Sequence, residues 1–411
     1  MEMVTQETKI STSKLLLLGI QHVLAMFGAT VLVPALTGLN PAVALFTAGV
    51  GTIIFHLVTG RKVPVFLGSS FAFIPVILLV GETYGLPYAT GGIVIAGSLY
   101  LVLAGLVMVF GVERVKSFFP PIVTGPMIMV IGLTLAPTIV TNNIVAETLP
   151  GTLAQRWIIA LSVLAVMIIV SVFAKGFFKL VPILFGIATG YILSLIFGGG
   201  IVNLEPVAKA KWLAFPDFMA PRFGIEAITL IAPVALVTFM EHIGDITTNG
   251  AVIGKNLMKD PGLHRTLLGD GLATMFAGLV GGPANTTYSE NTGVLAVTKI
   301  YNPVVIQIAA IIAILMSLIG KFGALLQTIP APVMGGVSLL LFGMIASIGL
   351  RTISDAQLDF TNSRNLIVVS IILVMGLSGV VFNITSQASL SGLSLAAVVG
   401  VVLNKVLPEN I

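Results

Sequence analysis

Asn285-Thr286-Thr287-Tyr288-Ser289-Glu290-Asn291-Thr292-Gly293 lies within a segment, 283–299, that is otherwise apolar enough to sit in a bilayer. Its middle carries Thr, Ser and Gly where a continuous helix would use Leu and Ala. The segment reads as broken. At membrane depth a break is tolerated only where other protein or a polar cavity satisfies the freed backbone groups, so it points to a binding site. A second broken segment, 63–80, carries Gly68-Ser69-Ser70-Phe71-Ala72-Phe73. A further acidic cluster, Met240-Glu241-His242-Ile243-Gly244-Asp245, lies in the apolar segment 225–247. An ionised side chain at the centre of a membrane helix is unfavourable by roughly 2.5 kcal/mol or more and marks a polar pathway, a proton relay or a ligand site. Function is therefore expected at Glu241 and Glu290.

Composition agrees with a bilayer setting. The 411 residues are 57% apolar and 9% charged, with mean hydropathy +1.10, against about 25% charged in soluble domains. The chain reads as an integral membrane protein surrounded by lipid. Its net charge of +4 comes from Lys and Arg scattered over loops, so no nucleic-acid partner is expected. With no cysteine, disulfides, thiolate metal sites and a Cys nucleophile are excluded. Neither a His-Glu-x-x-His pattern nor a Gly-x-Ser-x-Gly elbow is present, which argues against an intramembrane enzyme. No metal or cofactor is expected. The polar N-terminus runs into the first apolar segment without a small-residue cleavage site, so that segment is expected to stay in the mature protein.

Fourteen apolar segments can be read: 15–36, 41–59, 63–80, 91–110, 122–139, 157–173, 180–197, 225–247, 266–281, 283–299, 302–318, 333–348, 366–381 and 390–407. With both termini cytoplasmic, fifteen of the twenty Lys and Arg fall on the inner side, and only Arg156, Lys209, Lys211, Arg222 and Lys321 fall outside. That is the positive-inside bias. A multi-pass protein of the cytoplasmic (inner) cell membrane is expected. The longest outside loop, 198–224, divides seven spans from seven.

Across that division three signals recur in order. Gln21-His22 answers Glu241-His242, Ser69-Ser70-Phe71-Ala72-Phe73 answers Thr286-Thr287-Tyr288-Ser289-Glu290, and Pro121-Ile122-Val123-Thr124-Gly125 answers Pro332-Val333-Met334-Gly335-Gly336. Their separations, 220, 217 and 211 residues, are similar. Seven is odd, so the second half enters the membrane from the opposite side. The expected fold is an all-α polytopic membrane protein built as a 7+7 inverted repeat, an architecture common among secondary transporters.

The run Glu290-Asn291-Thr292-Gly293-Val294-Leu295-Ala296-Val297-Thr298-Lys299 resembles the signature of the nucleobase–ascorbate transporters (nucleobase:cation symporter-2 family), and Gln21-His22 and Gly68–Phe73 resemble two further motifs of that family. The resemblance runs from about 15 to 407. The acidic first position at Glu290, with Glu241-His242-Ile243-Gly244 before it, is most similar to the uracil permeases. Such a resemblance implies a core domain from spans one to four (15–110) and eight to eleven (225–318), and a gate domain from spans five to seven (111–197) and twelve to fourteen (319–407). The cytoplasmic N-terminus 1–14 and the outside loop 198–224 complete the chain. It also implies that spans three and ten contain short extended stretches meeting antiparallel, and that members pair as homodimers through the gate.

By the same resemblance Glu241 and Glu290 hold a nucleobase through their carboxylates, the backbone amides of Phe73 and Ser289 meet its carbonyl oxygens, and Ala29 and Tyr288 line the pocket. The chemistry fits. A uracil edge alternates ring N–H donors with carbonyl acceptors and needs paired acceptors and donors on a rigid frame. The rings of Phe73 and Tyr288 are expected to cover its faces. Two positions depart from the uracil-permease pattern: Asp245 stands one turn after Glu241 where His is frequent, and Ser289 replaces a Gly. Asp245 shares a helix face with Glu241. Crowded carboxylates favour uptake of a proton, so Glu290, or the Glu241–Asp245 pair, is the expected coupling site, with protons as coupling ion. Asp245 has two bland alternatives, capping a backbone break or pairing with Thr247. Gln21, His22, His242 and Asn291 are expected as supporting residues, His56 at the membrane interface, and Gly125, Gly335 and Gly336 as close-packing or hinge elements. The expected function is import of uracil by proton symport, the alternative being a purine such as xanthine or urate.

Overall fold

The computed structural model describes residues 11–118, 120–380, 382–383, 389–390 and 392–408. Most of the expected cytoplasmic segment 1–14 lies outside the described residues. Every one of the fourteen apolar segments contains helix. Seven helices are long and apolar enough to cross a membrane: Thr12–Thr37, Pro41–Val58, Leu86–Phe110, Pro121–Val145, Leu153–Phe173, Ile225–Ile253 and Ala331–Asp355. Shorter apolar helices run over Phe71–Thr83, Pro182–Phe197, Pro303–Ser317, Ser363–Leu377 and Gly392–Val406. Leu263–Leu279 and Ser289–Thr298 complete the set.

Local chemistry sets several of the helix limits. Asn40, Asn302 and Asn362 each accept a hydrogen bond from the backbone amide two residues on, at 2.8, 3.0 and 2.9 Å, the N-cap arrangement that satisfies an otherwise orphaned donor. Pro41 and Pro303 follow the first two caps, where the missing N–H costs nothing. Pro233 splits the eighth span into Ile225–Ile231 and Val234–Ile253. The segment expected to end at 348 continues as helix to Asp355. Its last turns are polar, and an Arg351–Asp355 ion pair of 3.3 Å, four residues apart, supports them.

Two crossings hold the bundle tightly. A Cβ added at Gly97 would stand 2.8 Å from the carbonyl oxygen of Gly271, and one at Gly271 would stand 2.9 Å from that of Gly97. Helices Leu86–Phe110 and Leu263–Leu279 thus meet backbone to backbone, as small residues permit in membranes. Gly125 faces the carbonyl oxygen of Gly349 in the same way, at 3.0 Å. Gly335 and Gly336 press on Ile144 and Ala160, so these glycines are close-packing positions.

His56, expected at the membrane interface, is 1% exposed within the bundle. After helix Pro41–Val58 the chain turns back along its own helix, and the carbonyl of Val65 has no ladder partner there. His56 Nε2 donates to it at 3.0 Å, while Nδ1 faces Gln307 Nε2 at 3.3 Å.

Overpacking the first crossing should be costly. Gly97→Val is expected to destabilise by about 1–3 kcal/mol, lowering the unfolding temperature of the purified protein. Gly105→Ala on the same helix, where an added Cβ meets nothing within 4 Å, should leave it unchanged or raise it.

Candidate substrate site

The two broken segments fold as strand followed by helix. Strand β1 (Leu67–Ser69) pairs antiparallel with β2 (Asn285–Thr287) in the register Leu67↔Thr287, Gly68↔Thr286, Ser69↔Asn285. The ladder extends through Ser70 N–H to Ala284 O at 2.8 Å and Tyr288 N–H to Phe66 O at 3.0 Å. Two three-residue strands are too short to persist alone, and their outer edges are closed by matched hydroxyls. Thr52 Oγ1 accepts the amide of Leu67 at 2.9 Å, and Thr274 Oγ1 accepts the amide of Asn285 at 3.2 Å. Thr52 and Leu67 belong to the first half, Thr274 and Asn285 to the second, and each pair occupies the corresponding place in its half.

Asparagines then tie the halves together. Asn285 Nδ2 donates to Thr47 O at 3.1 Å, Asn249 Nδ2 to Pro64 O at 3.2 Å, and Asn291 Nδ2 to His22 O at 3.0 Å. Asn291 also lies 3.0 Å from His22 Nδ1. His22 and Asn291 therefore support the break. Gln21 lies beside them, half-buried at the end of the same turn of helix.

From β2 the helix Ser289–Thr298 departs, and its first-turn amides have no intrahelical acceptor. Helix Val234–Ile253 brings Glu241 and Asp245 to this point. Asp245 accepts hydrogen bonds from Thr287 Oγ1 at 2.8 Å and Ser289 Oγ at 3.0 Å. Its partners are thus the strand and the helix start, not Thr247, whose hydroxyl donates to Ile243 O at 2.7 Å. Glu241 is exposed and Glu290 half-buried. Glu241 lies within electrostatic reach of Asp245, Asp270 and Glu290.

Ser289 and Glu290 line a cavity of about 270 Å³. Ala25, Gly28, Gly293, Met167, Ile183 and Met344 are among its other lining residues. Glu241 and Asp245 stand outside its lining, as does Ala29, which is fully buried one residue past Gly28. The aromatic rings are placed otherwise than the residue types implied. Phe73 is fully buried in the core with Ile74 and Ile77. Tyr288 is 3% exposed, its hydroxyl donates to Ser69 O at 2.9 Å, and its ring occupies the space a side chain at Gly68 would need. In this conformation the Tyr288 ring braces the strand pair and the Phe73 ring packs in the core.

His242 turns away from the carboxylate face. Fully buried, it stands against buried Asp270, Nδ1 to Oδ2 at 3.0 Å, and meets Thr266 Oγ1 at 2.9 Å through Nε2. Asp270 had not been singled out. The signal was present in Leu268-Gly269-Asp270-Gly271, a carboxylate inside the apolar segment 266–281, the same criterion that isolated Glu241.

A ligand site at the ends of interrupted helices, between two opposed halves of a bundle, is the arrangement of a membrane carrier. The protein is a multi-pass membrane permease and not an enzyme. The chain belongs to the Permease family, matching it over residues 13–385, and so carries its motifs as a member. Relatives include the uracil permease of Bacillus caldolyticus, 46% identical over 397 residues, 95% of this chain and 91% of that one. The uracil permease of Escherichia coli (strain K12) is 43% identical over 396 residues, 94% and 90% of the two chains. The fold is shared with the transmembrane domain of the cyanobacterial bicarbonate transporter BicA, at TM-score 0.62 and 15% identity over 95% and 96% of the chains. It is shared too with the murine anion transporter Slc26a9 in the inward-facing state, at 0.70 and 12% over 97% and 68%. At such identities the likeness is one of fold alone.

The matched hydroxyls yield a paired expectation. Thr52→Val and Thr274→Val should each cost about 1–3 kcal/mol by leaving a buried strand amide without its partner. Thermal unfolding of the purified variants should show falls of similar size, and Thr83→Val, at an exposed hydroxyl bonded only to its own helix, should show little change.

Proposed function

We propose that the protein is a proton-coupled symporter that imports uracil across the cytoplasmic membrane by alternating access. The observation that carries the reading is the meeting of Glu241, Asp245, Ser289 and Glu290 at the start of helix Ser289–Thr298, beside a cavity. Its support from outside the chain is the name uracil permease borne by relatives that match almost end to end. Carboxylates accept from the ring N–H groups of the base, and the first-turn amide of Ser289 and the backbone amide of Phe73 donate to its carbonyl oxygens. Tyr288 and Ala29 act from behind this face, holding the frame.

In this proposal the fourteen helical segments are fourteen spans, with both termini cytoplasmic. Segments 15–110 and 225–318 form the core, and 111–197 and 319–407 form the gate. The residues of the cavity contributed by 167–184 and 340–344 are then the gate's cover over the site, and the gate is the surface through which two copies pair. Proton and substrate bind together. An ionised Asp245 takes both hydroxyl donors, of Thr287 and Ser289, and leaves the proton to Glu290 or, within the Glu241–Asp245 pair, to Glu241. No metal or cofactor takes part.

Uptake of radiolabelled uracil into proteoliposomes under an acid-outside pH gradient tests this reading. Uptake should be driven by the gradient and blocked by unlabelled uracil. Glu241→Ala should reduce it at least tenfold, the loss of a hydrogen bond to a charged group being worth about 1.5–3 kcal/mol. Competition by xanthine alone would overturn the substrate. In the same vesicles Glu290→Gln or Asp245→Asn should flatten the dependence on the gradient, and wild-type dependence in both would overturn the coupling site.

A further inference from the structure

Away from the carboxylates, two hollows share a wall near the end of the chain. One, of about 550 Å³, is apolar: Leu103, Leu106 and Phe110 of helix Leu86–Phe110 face Leu236 and Val401, with Arg114 and Phe118 at its rim. The other, also about 550 Å³, is polar and lined by Ser117, Arg364, Asn365, Asn404 and Lys405 among others. They meet at one contact, where Lys405 Nζ lies 4.6 Å from the centre of the Phe118 ring. Val401 and Lys405 are four residues apart on helix Gly392–Val406 and so share a face. One side of that face is hydrocarbon and the other cationic.

The charge there is uncompensated. Arg364, 9% exposed, donates only to neutral oxygens: Leu407 O at 3.3 Å, Asn404 O at 2.7 Å, Asn404 Oδ1 at 2.8 Å and Asn365 Oδ1 at 3.3 Å. Among the described residues no carboxylate lines either hollow, and none of the ion pairs involves Arg114, Arg364 or Lys405. Two cations lining a polar hollow, with a third at the rim of the apolar one beside it, call for an anion. An apolar groove opening beside that hollow calls for a chain attached to it. Basic pockets between membrane helices bind acidic lipid headgroups by this combination.

We propose that these joined hollows bind an anionic phospholipid. Its phosphate lies in the polar hollow near Lys405 and Arg364, within reach of Arg114, and one acyl chain lies along Leu103, Leu106 and Val401. The groove wall combines Leu86–Phe110, which follows the first strand, and Leu236, on the helix that precedes the second, with Gly392–Val406, so the lipid bridges three helices far apart in sequence. Soluble phosphate has no use for the apolar groove, which is why a lipid is the occupant. The Lys405–Phe118 contact marks the boundary between headgroup and chain, the cation keeping its charge at the polar side while its stem covers the ring.

Thermal unfolding of the full-length protein in detergent tests this. Palmitoyl-oleoyl phosphatidylglycerol should raise the unfolding temperature by about 4 °C more than phosphatidylcholine with the same chains. Arg114→Gln combined with Lys405→Gln should remove at least half of that difference. Val401→Trp, which fills the groove and leaves the cations, should remove it as well and guards against failure of the first variant to fold. Native mass spectrometry should show fewer retained phosphatidylglycerol molecules in both. Equal responses to the two lipids, an undiminished difference in either folded variant, or a full response to inorganic phosphate alone would overturn the proposal.

Discussion

A backbone amide or carbonyl in a bilayer interior has no water to turn to, and leaving one unpaired costs several kcal/mol. Two segments of this protein run as strand before they become helix, so the rest of the bundle is organised around satisfying those strands. The strands β1 and β2 satisfy each other along one edge. Thr52 and Thr274 take the opposite edges, and Asn249, Asn285 and Asn291 collect carbonyls from the other half. Once these bonds are made, the first-turn amides of helix Ser289–Thr298 still lack intrahelical acceptors, and Asp245 is tied to that helix start through Thr287 and Ser289.

Packing supports the same arrangement. Glycine pairs allow helices Leu86–Phe110 and Leu263–Leu279 to meet carbonyl to Cα, and Gly68 makes room for the ring of Tyr288 across the strand pair. The helices flanking the breaks cannot slide past one another without opening those contacts. The site is therefore a rigid feature set within one part of the bundle, and the wall of cavity residues from 167–184 and 340–344 belongs to other helices.

Much of this was legible in the sequence because breaks and charges inside hydrocarbon are conspicuous. The Gly, Ser and Thr of 68–70 and 285–289 announced the interruptions, and Glu241 and Glu290 announced the site. What was harder to read is direction. A phenylalanine or tyrosine beside a binding site has equal chemical licence to face the ligand or the core, and Phe73 and Tyr288 face the core. For Asp245 a pairing with Thr247 on its own helix was one of two bland alternatives, but hydroxyls arriving from 42 and 44 residues downstream, Thr287 and Ser289, are the partners it takes. His56 shows the same limit: only the return of the chain past its own helix, invisible in a local pattern, explains its burial.

The repeat is even in its backbone and uneven in its chemistry. Both halves supply a strand, a helix and a threonine clamp, yet every carboxylate of the cluster, Glu241, Asp245, Asp270 and Glu290, comes from the second. The first half contributes carbonyls, and sets uncharged Gln21 and Phe73 at the places of Glu241 and Glu290. On the proposed reading, selectivity and scaffold occupy separate stretches of one gene, so that what is carried is open to retuning in the second stretch while the first continues to hold the shape.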